Sequence, residues 1–207
     1  EYFSIYIKSA INQLIFGGLI FLGIWLNVDD ALSLLPEKFQ GGRLVVFFIA
    51  FSQLFNVATG VNGLIIANSK YFRFDLYSNF MLLCITLFTN FIFIPSSSPL
   101  ASYDIVGING AAFATALSVL FFNIIKMIFL YWKIGIQPFS LRTLYTIALL
   151  IVIYYLSLYI PVSENVYLNL LWRSFYILLL FLPAMYLMNL SKDINQVIEE
   201  FARKIIK

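Results

Sequence analysis

Lys126 and Arg173 each stand inside a long run of apolar residues that holds no other charge. A charge placed in lipid is costly, so its position carries information. Arg offers a phosphate a planar fork of donors, whereas Lys offers a point charge. Facing an internal cavity, one or both would neutralise an anionic phosphate group. The competing reading is that each long stem runs to the nearer interface. Lys126 lies about two turns before Lys133, and Arg173 stands beside Trp172.

Amides and hydroxyls form a second set. Ser52, Asn56, Thr59, Gly63 and Ala67 recur at helical spacing, as do Asn79, Thr86 and Asn90. Ala112, Ala116, Asn123 and Lys126 share another face, and Asn169, Arg173, Tyr176 and Pro183 a further one. Such faces pack helices by close approach and interhelical hydrogen bonds, or they line a wet cavity. The candidate cavity contacts are Asn56, Asn62, Asn90, Asn123, Lys126 and Arg173. Pro183 is expected to kink its helix.

Other chemistry is excluded. The chain has no histidine, which removes the commonest general base and metal ligand. Its single Cys84 allows neither an internal disulfide nor a thiolate metal site. No HExxH, GxSxG or phosphate-cradling Gly-Lys-Ser/Thr loop occurs. Neither an enzyme activity nor a cofactor is expected. The acidic groups, among them Asp75, Asp193, Glu199 and Glu200, are expected to be solvated loop and tail charges, with none inside a span.

The elements that must position these residues follow from composition. Of 207 residues, 62% are hydrophobic and 11% charged, against about 25% charged in a soluble domain. Mean hydropathy is +0.92. The expected fold is an all-α polytopic membrane helix bundle. About 20 apolar residues cross the hydrocarbon, and six segments qualify: 5–27, 44–68, 75–95, 105–132, 143–161 and 166–189. Residues 28–43 form a polar connection with room for one helical turn, and residues 143–161 show almost no polar face and should meet lipid. Residues 190–207 repeat Ile194, Val197, Ile198, Phe201 and Ile205 opposite charge, which predicts an amphipathic tail on the membrane surface. Lys8, Lys70, Arg73, Lys133, Arg142 and the tail cations alternate with connections poor in Lys and Arg, which predicts both ends on the cytoplasmic side. The chain opens at Glu1 rather than Met, and a further N-terminal part is expected.

The stretch Asn90–Thr115, NFIFIPSSSPLASYDIVGINGAAFAT, carries a resemblance. It is similar to the "helix, Ile-Pro, short loop, Gly-Ile-x-Gly-Ala-Ala-x-Ala-Thr, helix" signature of polysaccharide (O-antigen type) flippases. These belong to the multidrug/oligosaccharidyl-lipid/polysaccharide exporter superfamily. Gly60-Val-Asn-Gly63, with Asn68-Ser69-Lys70 after it, and Pro138-Phe139 after Lys133 add to the likeness, which covers about residues 56 to 140. The resemblance implies one six-helix lobe, residues 1–189, of a two-lobed transporter in the bacterial inner membrane. The partner lobe would lie N-terminal to this chain. The implied substrate is an undecaprenyl-pyrophosphate-linked oligosaccharide, its head group met by a cationic cavity. Alternatives are a cation-coupled drug antiporter of the same superfamily, which needs an intramembrane carboxylate, a membrane-embedded glycosyltransferase or polymerase, and a scaffold subunit.

Overall fold

The computed structural model describes residues 2–161 and 163–205, and among them every regular element is helical. Apolar runs fold this way because lipid offers no partner to a backbone amide, and a helix pairs all of its own. Four helices are long and apolar enough to cross a membrane: α1 (Tyr2–Ser33), α5 (Phe72–Phe93), α6 (Gly107–Ile134) and α8 (Val166–Leu187). Together they mark a membrane-embedded protein. Two shorter apolar helices, α3 (Arg43–Ala58) and α7 (Leu141–Ser157), pack among them. Short pieces complete the set: α2 (Glu37–Gln40), α4 (Asn62–Ala67), a 3₁₀ turn at Ala101–Tyr103 and the terminal α9 (Lys192–Ile205).

Three features differ from the sequence reading. α1 runs past residue 27 and carries Asp29 and Asp30 into its last turn. These carboxylates find cationic partners, Arg43 at 3.4 Å and Arg173 at 2.6 Å, so the acidic step does not end the helix. Pro36 sets the limit, because the residue before a proline avoids helical backbone.

The segment 44–68 is two helices rather than one. They are separated at Gly60, whose φ of +68° a side chain would strain. Gly60 also lies against α1, where an added Cβ would stand 3.1 Å from the Ala10 Cβ. Close packing at this point therefore requires glycine.

The third difference concerns α7, which buries Thr143, Thr146, Leu149, Leu150, Ile153 and Ser157 on one face. Its hydroxyls return to their own helix, as Thr146 does to the Arg142 carbonyl at 2.8 Å. That face is small enough to pack on α1 and α8, so only the opposite side is exposed. α8 continues through Pro183, whose ring lies on the exposed side.

α1 is the central element. On one flank it meets α3, which leads to α6 and then α5; on the other it meets α7 and α8, which also touch each other. An apolar core of Ile11, Ile15, Leu22, Ile153, Ile177 and Phe181 joins the second group. The tail is anchored rather than loose. Ser191 donates to Asn12 at 2.5 Å, Asn12 donates to Asp193 at 3.1 Å, and Ile194 and Ile198 pack against the core. Phe201 and Ile205, expected on that same face, lie outside the side chains described.

Candidate functional site

The break between α3 and α4 brings the polar faces together. Asn123 on α6, with 1% of its surface exposed, is the hub. Its amide nitrogen donates to Asn56 Oδ1 at 3.1 Å and to the Val119 carbonyl at 3.0 Å. Its Oδ1 accepts from Asn62 Nδ2 at 3.1 Å and lies 3.0 Å from the Thr59 hydroxyl. Asn62 also donates to Thr59 at 3.2 Å, and its own oxygen accepts the Gly63 amide. Had residues 44–68 been one straight helix, Asn62 would sit about 60° round from Thr59; the turn at Gly60 redirects it onto the same partner.

Lys126 lies one turn beyond Asn123 on the same face. It is buried, and its Nζ donates to Asp75 Oδ1 at 2.8 Å while standing 4.1 Å from the centre of the Phe122 ring. Asp75, on the first turn of α5, accepts a second bond from Asn79 at 3.2 Å. Both partners are shielded, with side-chain exposures of 5% and 27%. Gly63 makes room for the pair: an added Cβ would be 3.2 Å from Nζ and 3.8 Å from Oδ1. The Lys126 stem thus ends on a carboxylate, not in water, and Asp75 is a structural partner rather than the solvated charge expected.

Arg173 belongs to a different place. Its guanidinium donates to Asp30 Oδ2 at 2.6 Å and to the Leu26 carbonyl at 3.0 Å, tying α8 to the end of α1. Asn27 adds a bond to the Ser174 hydroxyl at 3.3 Å. Asn169, one turn before Arg173 on α8, bridges instead to the loop backbone at Ser163, accepting at 2.7 Å and donating at 2.8 Å. About 30 Å of helix rise separates Asp30 from Ala10, the residue beside Gly60, so the two ion pairs sit at opposite ends of the bundle.

Of the six candidate contacts, the structure therefore groups Asn56, Asn62, Asn123 and Lys126. It sets Arg173 apart, and it leaves Asn90 half-buried with no side-chain bond among the described residues. Thr59 and Gly63, named only for the polar face of residues 52–67, join the first site, and Asp75 and Asp30 complete the two sites without having been named for them. The available signal was local: Asp75 stands four residues before Asn79, and Asp30 follows Leu26 by one helical turn.

An apolar groove lies elsewhere. A groove of about 420 Å³ between α1, α3 and α7 is walled by Phe21, Trp25, Phe47, Phe51 and Tyr154 among apolar neighbours. Its walls suit hydrocarbon. No family model, curated protein or solved structure matches the chain.

Proposed function

We propose that this chain is one lobe of a transporter that flips undecaprenyl-pyrophosphate-linked oligosaccharide units to the outer leaflet of the bacterial inner membrane. In this reading six segments cross the bilayer: α1, α3 with α4, α5, α6, α7 and α8. Both ends lie in the cytoplasm, and a second lobe supplies the facing wall. The observation that carries the reading is the hydrogen-bonded network of buried Thr59, Asn62 and Asn123 with exposed Asn56, beside the Lys126–Asp75 pair, within strongly apolar helices. A polar interior in lipid is expensive and marks substrate or ion pathways. The glycine-rich motifs of the resemblance support the same reading.

The cations are not free to meet a phosphate; each already holds a carboxylate. The mechanism therefore involves exchange. As the lobes rock apart, the pyrophosphate displaces Asp75 from Lys126, and release restores the internal pair. The asparagines offer neutral donors and acceptors to sugar hydroxyls, while the polyprenyl tail stays in lipid.

The test is Lys126→Gln in cells that make the full transporter. Lipid-linked repeat units should accumulate on the cytoplasmic leaflet when export is compared per copy of membrane-inserted protein, and unchanged surface polysaccharide would sink the reading. A specific observation also favours the antiporter: Asp75 is a shielded carboxylate on a spanning helix, the group that reading requires. Asp75→Asn separates the two. It abolishes ion-driven drug efflux from everted vesicles if the chain is an antiporter, whereas a flippase keeps a slower export, because Lys126 still meets its substrate and only the resetting pair is lost.

A further inference from the structure

We propose that the pocket between the α4–α5 turn and the end of α6 binds the phosphate of an anionic phospholipid headgroup. The pocket holds about 360 Å³ and is lined by Ile65, Asn68, Lys70, Tyr71, Lys133 and Ile134. No carboxylate lines it. Lys8, Arg43, Lys126, Arg173 and Arg203 each stand within 4 Å of an acidic group, but Lys70 and Lys133 do not among the described residues. The nearest spanning-helix acid, Asp75, is already taken by Lys126. Two exposed lysines thus line one largely apolar recess whose lining holds no carboxylate.

Depth selects the ligand. α5 begins at Phe72 and α6 ends at Ile134, and both are long enough to cross a membrane. A pocket formed by the residues just before one and at the end of the other lies at headgroup level, whichever way the chain is inserted. Basic recesses between spanning helices at this level take acidic headgroups. Aromatic residues mark the same level: Lys70 lies 5.1 Å from the centre of the Tyr71 ring, and Trp132 beside Lys133 is 78% exposed. Exposed Phe72 continues from the rim along α5 as a surface for an acyl chain. Ser69 holds the rim in shape, donating to the Ile66 carbonyl at 2.8 Å and accepting from the Tyr71 amide at 3.0 Å.

The test uses the whole chain with Trp132 as its only tryptophan, after Trp25→Phe and Trp172→Phe, in phosphatidylcholine vesicles. Brominated phosphatidylglycerol and brominated phosphatidylcholine are compared as quenchers of Trp132. The phosphatidylglycerol should be preferred, with the preference falling about five-fold for each lysine changed to Gln. Lys70→Arg with Lys133→Arg should keep it, which separates lost charge from lost fold. Equal quenching by the two lipids, or a preference that survives Lys70→Gln with Lys133→Gln, overturns the proposal. So does abolition of the preference by soluble glycerol phosphate at matched ionic strength, which would assign the recess to a free phosphate.

Discussion

Lys126 and Arg173 solve one problem at opposite ends of the bundle. Each is a basic side chain in an apolar helix, and each is matched by a carboxylate from a helix that is distant in sequence. Removing one member of a shielded pair strands the other, at a cost of about 3–5 kcal/mol, whereas replacing both by apolar residues of similar volume is often neutral. Lys126→Met should therefore destabilise the purified protein strongly in detergent-unfolding titrations. Lys126→Met with Asp75→Leu should recover most of the loss, and a double variant as weak as the two single effects summed would show that the pair is not coupled. The sequence showed the cations clearly because nothing else in their spans is charged. Their partners were hidden because Asp75 and Asp30 stand at span ends, where a solvated loop acid looks the same.

Between elements, glycine sets the distances. Gly110 on α6 lies against the Phe93 carbonyl at the end of α5, and an added Cβ there would overlap that backbone oxygen. Backbone cannot rotate aside as a side chain can, so Gly110→Ala should cost about 1–3 kcal/mol. Gly23 in α1 has nothing within 4 Å of its Cβ position, and Gly23→Ala should be neutral or slightly stabilising. Melting temperatures of the two variants in detergent check this, and equal values would mean that α5 and α6 do not meet as described. Helix positions were legible because lipid demands long apolar runs. The break at Gly60 was not, since Ala58 to Ala67 keeps both helical spacing and apolar character, and only contact with Ala10 reveals why the chain turns there.

At the scale of the molecule, basic residues are unevenly shared, with Lys38, Arg43 and Arg173 at the end that also carries Asp29, Asp30 and Glu37. Lys8, the α9 cations, Lys70 and Lys133 gather where α1 begins, while the loop from Pro95 to Tyr103 at the other end has no Lys or Arg. With Cys84→Ser as background, a cysteine at Ser97 should react with an impermeant reagent from outside the cell. One at Gln137 should react only after the membrane is opened, and the reverse pattern would invert the orientation. Both positions are exposed, and neither side chain is a helix cap. The division of the helices into two groups was not legible, because apolar faces of similar composition do not name their partners. The shared use of α1 by both groups becomes visible only once the chain is folded.

That shared use has a consequence for biosynthesis. Asp30 leaves the ribosome 143 residues ahead of Arg173, whereas Asp75 precedes Lys126 by only 51. At about 5–20 residues per second, Asp30 waits roughly 7–29 s for its partner, and Asp75 roughly 3–10 s. The α5–α6 hairpin can thus neutralise itself while the translocon still holds the chain. Final closure of α1 on α8 must wait until Arg173 on α8 has been made.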